Sequence, residues 1–266
     1  MYPDDKSWWG DFQVAMGTAA RLSIGPATIL IQRLQQEWRI ATEVSTDPDE
    51  LALDIEIPTE LTDLLERANV RRFVVSNDTE NITIAARLAD RPVVATPQKP
   101  VELPPGEAVT VYVGSPVWMH VHAGTPVREL FEVPLQPAAD TWFGPNTRVG
   151  ELCYASRTHC RLSLDELPLR PHRAVTSVVV ENQAATPLRL DALKLPVPHL
   201  ALYSAGDGRL WTQDVTLTRD DDHEFTPLRV REGAPRQAEN AVRVAEARQP
   251  VADNIMVRAF SSLFSL

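Results

Sequence analysis

Two histidines separated by one residue, His120 and His122, are the first side chains in this sequence whose type and spacing invite chemistry. On an extended strand, positions i and i+2 point to one face about 7 Å apart. Two imidazoles held that way can share a metal ion. Trp118 falls on the same face. Zinc takes at least a third protein ligand, and none stands at a fixed spacing from the pair. A sheet-stacked polar pair is therefore the competing reading, and it calls for no cofactor.

Cys153 and Cys160 form a second pair. If Ser156-Arg157 makes a two-residue turn, the thiols face each other across a hairpin, placed for a disulfide or as two soft ligands. His159 then points to the opposite face. If the segment is one continuous strand, their odd separation puts them on opposite faces. Two cysteines make no disulfide framework, and buried free thiols are the simpler expectation for a cytoplasmic chain.

The run Asp140-Thr141-Trp142-Phe143-Gly144-Pro145-Asn146, then Gly150-Glu151-Leu152-Cys153-Tyr154, sets aromatics, carboxylates and turn formers in a stretch without periodicity. Long loops on β scaffolds often carry binding sites. Arg148, Arg157 and Arg173 can contact an anion, with Asp140 or Glu151 as their partners. Asp140, Trp142, Glu151 and Arg157 are the candidate ligand-binding residues here. The alternative is a loop pinned by Trp142 and Phe143 inserted into the core. Tyr203 and Trp211 flank a further hairpin and offer an aromatic platform for a sugar or base, or a cross-strand pair that only stabilises the sheet.

The elements that must position these groups read as short strands. Pro, at 22 residues, punctuates the apolar runs. Residues 27–34 and 37–44 read as a hairpin around Gln35-Gln36. Leu51, Leu53, Ile55 and Ile57 alternate as a half-buried strand ended by Pro58. Val109 to Val113 and Val117 to Val121 alternate on either side of a Ser115-Pro116 break. Asp207-Gly208 signals a hairpin turn. One helix is expected near residue 60, capped by Thr59, with Leu61, Leu64, Leu65 and Ala68 on one stripe. Val74-Val75-Ser76-Asn77 and Val179-Val180-Glu181-Asn182 each precede a polar loop and a second strand, an echo that hints at duplicated domains.

Toward the end of the chain, Ala238, Ala241, Val242 and Ala245 stand at helical spacing, and Pro250 breaks the run. Met256, Ala259, Phe260 and Leu263 repeat it, with Phe264 widening the face. A terminal helix docked on its own core is one expectation. A tail that contacts a protein partner or self-associates through Met256, Phe260, Leu263 and Phe264 is the other.

Hydrophobic residues at 44% and charged residues at 23% exclude wholesale disorder. A formal net charge of -10, with arginines scattered among carboxylates, excludes a non-specific nucleic-acid binder. The N-terminus shows no apolar signal core, and no run approaches the roughly 18 apolar residues of a membrane helix, so the expected location is cytoplasmic. There is no G-x-S-x-G, G-x-x-x-x-G-K, G-x-G-x-x-G or H-E-x-x-H motif.

The run from Asp140 to Tyr154, together with Pro198-His199-Leu200-Ala201-Leu202-Tyr203 and Gly208-Arg209-Leu210-Trp211, resembles the bacterial branch of the uncharacterised family numbered 432 among the domains of unknown function. A Tyr-Gly stretch of other branches stands here as Leu202-Tyr203-Ser204, then Gly206 and Gly208. The resemblance covers most of the chain and implies no catalytic residue or cofactor.

The expected fold is mostly β: two antiparallel sandwich-like halves over 1–135 and 136–234, with a short internal helix and a helical tail over 235–266. The expected function is a non-catalytic binding or accessory protein acting through protein contacts. A metal-dependent hydrolase or small-molecule enzyme at His120 and His122 and a carbohydrate-binding module are the alternatives.

Overall fold

In a computed structural model, the chain is described over residues 7–47, 49–59, 64, 69–75, 80–124, 127–146, 148–156, 159–220, 226–250 and 256–257. It is mostly β: every regular element among the described residues is a strand or a short 3-10 turn. Two compact units share the chain. One comprises Met1–Arg87, Val117–Pro137 and Arg170–His172; the other comprises Leu88–Pro116, Ala138–Leu169 and Arg173–Leu266.

The first unit is built on a five-stranded antiparallel sheet in the order Leu53–Thr59, Ala19–Ile24, Ala27–Leu34, Glu37–Val44, Arg71–Val74. Its central hairpin turns at Gln35-Gln36, as the alternation predicts. Leu22, Ile29, Ile31, Trp38 and Ile40 are buried in its core, where β-branched and aromatic side chains fit the pleat. Arg33 is fully buried, with its guanidinium 5.2 Å over the Trp38 ring and donating to the carbonyls of Leu34 and Glu37. Trp8 is held by an indole hydrogen bond to the Pro171 carbonyl at 3.1 Å.

Leu53–Thr59 continues through Pro58 rather than ending there. It lies at the sheet edge, where a missing N–H costs no ladder bond. The same pairing overturns the expected helix cap: Thr59 is a strand residue in register with Ala19. Leu64 sits in a 3-10 turn, buried against Leu30 and Ala41. Leu61, Leu65 and Ala68 lie outside the described residues, and no α-helix occurs among those described.

A 16-residue strand, Ala108–Ala123, runs straight through Ser115-Pro116. Residues 108–116 pair with Arg173–Asn182 in the second unit, and residues 118–123 pair with Arg128–Pro134 in the first. Pro116 stands where the ladder changes partner, so the proline interrupts nothing.

In the second unit, Arg173–Asn182 is the central strand. Residues 108–116 pair with it antiparallel, and Leu210–Thr212 and Val215–Arg219 pair with it in parallel. It is buried along nearly its whole length, as a strand covered on both faces must be. A separate four-stranded sheet has the order Ala139–Phe143, Glu151–Ala155, Val93–Ala95, Leu193–Leu195, and its middle pair is parallel. The pairing is therefore mixed rather than purely antiparallel. In neither copy of the sequence echo do the two strands pair with each other, and Ser76 and Asn77 lie outside the described residues.

The expected helical tail is not a helix. Arg236–Ala238 is a 3-10 turn, and Val242–Ala245 is a strand paired antiparallel with Leu202–Ser204. Helix nucleation is costly, and this segment is short and carries β-branched Val242 and Val244. Met256–Val257 is likewise a strand, paired with Thr226 and Pro227. Phe260, Leu263 and Phe264 lie outside the described residues. Among the described residues, no helix is long and apolar enough to cross a membrane.

Candidate functional site

The first unit does bring His120 and His122 together. His120 Nδ1 lies 3.2 Å from His122 Nε2, and the rings are 4.0 Å apart. Arg87 Nη1 is 3.3 Å from that same His120 Nδ1, and Glu129 Oε2 is 3.0 Å from His120 Nε2. The Nε2–Glu129 approach lacks hydrogen-bond geometry, so only the Nδ1 side of His120 is hydrogen-bonded. The donors of Arg87 and His122 share the single lone pair of His120 Nδ1. Burial, then the neighbouring His120 and the Arg87 cation, push His122 below the ordinary imidazole value, against the opposing pull of Glu129 and Glu132. A guanidinium beside the shared nitrogen also repels a metal cation. Among the described residues, no three His, Cys, Asp or Glu side chains are grouped to hold a metal.

In the second unit, the strands Ala139–Phe143 and Glu151–Ala155 form a hairpin. Alternation separates the two aromatics. Phe143 is buried and Trp142 points outward, 47% exposed. Trp142 donates its indole N–H to the Asn146 carbonyl at 2.9 Å, and Asn146 Oδ1 accepts from the backbone N–H of Arg148 and Val149. Gly144 and Gly150 let the neck close, because a Cβ on Gly144 would fall 2.5 Å from Gly150 Cα.

The carboxylates of this hairpin meet cations other than those expected. Asp140 pairs with Arg91 at 3.2 Å. Glu151 pairs with Lys194, a buried lysine whose ammonium also lies 5.6 Å from the Phe143 ring centre. Arg91 lies 5.2 Å from the Tyr154 ring centre, and Tyr154 donates to Asp90 at 2.9 Å. Arg148 is exposed, Arg173 is buried with Nη1 3.4 Å from the Gly114 carbonyl, and Arg157 lies outside the described residues.

Tyr203 and Trp211 are direct cross-strand partners, 6% and 2% exposed, in a core cluster with Leu167, Val175 and Ala201. They are packed together rather than displayed as a platform. The turn between them is set by Gly208 at φ 81° and by Asp207 Oδ1, which accepts from the Arg209 backbone N–H at 2.9 Å.

The strands that carry these two hairpins fall within residues 8–265, which match the family model described as a protein of unknown function, DUF432. The chain belongs to the DUF432 family. No curated protein and no solved structure matches it.

Two clefts flank the 202–212 hairpin of this DUF432 member. One, of about 630 Å³, is bordered by His199, Tyr203, Gln213 and the Arg243–Glu246 ion pair. The other, of about 620 Å³, lies beside the turn and is bordered by Asp165, Asp207, Arg209, Trp211 and Glu239. Sequence reasoning missed Arg87, Glu129, Arg91 and Lys194. Lys194 alone left a signal, as a single cation between Leu193 and Leu195. The other three act only across the fold.

Both cysteines are free and buried. Burial pushes each thiol up to about 12, helped at Cys153 by the charge of Glu151. The thiolate is the reactive form. Ellman's reagent at pH 8 is therefore expected to leave native protein unmodified and to titrate two thiols once denaturant is added. Rapid reaction of folded protein would contradict the packing around them.

Proposed function

We propose that this DUF432 chain is a non-catalytic binding protein that meets a protein partner through the outer face of the 139–155 hairpin. The observation that carries the reading is the gathering of exposed apolar side chains there. Trp142, Val149 and Leu152 are 47%, 47% and 43% exposed within one hairpin. Trp142 stands directly opposite Leu152, and Asp140 opposite Tyr154, so these four share a face. Apolar patches rimmed by polar groups mark interaction surfaces, and Trp, Tyr and Arg dominate the energetics of protein contacts. Here Tyr154 and Arg91 sit beside the patch, with Asp140 as its charged rim. The indole hydrogen bond to Asn146 fixes the tryptophan in its outward position, which lowers the ordering cost of binding.

The test compares wild-type protein with the Trp142→Ala/Leu152→Ala double variant by cross-linked affinity capture. A specific partner is expected with the wild type and about thirty-fold weaker retention with the variant, the effect of losing one hot-spot tryptophan. Folding stability is expected to change by less than about 1 kcal/mol, because the altered side chains face solvent. Equal capture by both proteins, or no specific partner with either, refutes the proposal.

A further inference from the structure

We propose that the free edge of the strand Ala139–Phe143 pairs antiparallel with the same strand of a second copy of this chain. The strand ends its four-stranded sheet, so its one neighbour there is Glu151–Ala155. The Tyr154 backbone N–H donates to the Pro92 carbonyl at 2.8 Å, and that of Ser156 donates to the Val94 carbonyl at 2.7 Å. Even-numbered residues of this neighbour therefore direct their backbone groups toward Val93–Ala95. Its odd-numbered residues direct theirs toward Ala139–Phe143, where the register sets Cys153 against Thr141. Asp140 and Trp142 are left with N–H and C=O groups directed away from the sheet, without a backbone partner among the described residues. The edge carries no lysine, no proline and no bulge, the devices that usually keep an edge from pairing.

The edge is complementary to itself. An antiparallel pairing centred on Thr141 sets Asp140 of each copy against Trp142 of the other, and every outward N–H meets an outward C=O. Sliding the register to set Asp140 against Asp140 opposes two carboxylates, and like charges directly opposite are destabilising. Pro137 and Pro145 stand four residues to either side of Thr141, so the stretch free to pair is itself symmetric about that residue. Trp142 and Leu152 share the outer face, and the two-fold axis brings the two apolar patches side by side on one extended sheet. Strand addition of this kind draws its affinity from the main chain and its register from alternate side chains. The pairing rests on the protein-contact reading of this hairpin and names a second copy as the occupant of its edge.

The experiment is sedimentation velocity and NMR amide exchange on the full chain, at about 0.15 M salt, where repulsion between the acidic copies is screened beyond about 8 Å. A dimer with a dissociation constant on the order of 10–100 μM is expected, a weak and reversible contact. As concentration rises, exchange should slow at the Asp140 and Trp142 amides and stay the same at Thr141, whose amide is already bonded within the hairpin. Asp140→Pro removes an outward N–H and places a ring in the path of the second copy. It is expected to weaken the dimer at least about thirty-fold with an unchanged melting temperature, because a proline facing solvent on an edge strand breaks no ladder bond. Asp140→Asn keeps the N–H and removes the charge, and is expected to leave the dissociation constant within about three-fold. The exchange pattern of the wild type stands independently of either variant. A monomer throughout, a dimer that survives Asp140→Pro, or protection that spares Asp140 and Trp142 overturns the pairing. A monomeric wild type that still captures a different protein, and loses it on Trp142→Ala/Leu152→Ala, overturns the second copy as occupant and leaves the contact reading standing.

Discussion

Gly25→Ala is expected to destabilise the first unit by about 2–4 kcal/mol. Two separate penalties meet at this position. Gly25 has φ 55°, a left-handed conformation in which a side chain costs about 1 kcal/mol. A Cβ would also fall 2.6 Å from His172 Cγ and closer still to its Nδ1. His172 is completely buried, so its ring has nowhere to retreat. Gly17→Ala is the natural control. Its φ is 82°, but a Cβ there meets nothing within 4 Å. That variant should lose only the conformational part, about 1 kcal/mol. Urea denaturation of both proteins separates the two effects. Equal losses would mean that the His172 contact has no energetic weight.

Glu37→Gln is expected to cost about 2–3 kcal/mol at neutral pH and to flatten the acid limb of the stability profile. Glu37 is buried between two arginines: Arg39 Nη2 lies 2.5 Å from Oε1, and Arg72 Nη2 lies 2.6 Å from Oε2. Burial alone would raise its carboxyl. The hydrogen bonds and charges of Arg72 and Arg39 outweigh that and hold it below the ordinary value of 4.5. A depressed native value means that the unfolded chain takes up the proton first. The stabilisation is therefore complete above about pH 4.5 and is lost as pH falls through the lower native value. The estimate stays below that for a fully buried triad because Arg72 is mostly exposed. Urea midpoints measured from pH 7 downward should converge for wild type and variant in acid. Parallel curves would show that the ion pairs carry no such linkage.

Much of the strand pattern was legible because burial on one face writes itself into every second residue. The 27–44 hairpin and the Leu53 to Ile57 alternation are examples. Prolines misled where their cost depends on the neighbouring strand. Pro58 and Pro116 both sit where no ladder bond is broken, and a sequence does not state which side of a residue is paired. Ala238, Ala241 and Ala245 misled because small residues at helical spacing also suit a 3-10 turn leading into an edge strand, and that strand's partner, Leu202–Ser204, lies far away in sequence.

At the candidate sites, spacing foretold that His120 and His122 share a face. It could not foretell Arg87, whose approach to His120 depends on a strand 33 residues away. Period-two reasoning, applied strictly to Trp142-Phe143, would have sent one ring inward and the other outward. The cleft beside Trp211 had no local signature, since its walls come from three separate stretches of chain.

The interleaving of the two units has a consequence for synthesis. The ribosome delivers residues 1–87 first, yet Pro171 and His172, against which Trp8 and Gly25 close, emerge only after the whole of the second unit's first two segments. A nascent chain must therefore hold Trp8 and Gly25 without these partners while the second unit's segments over 88–116 and 138–169 are made. The first unit can close only after long stretches of the second have been threaded through its own sequence, so its folding depends on contacts of high sequence separation.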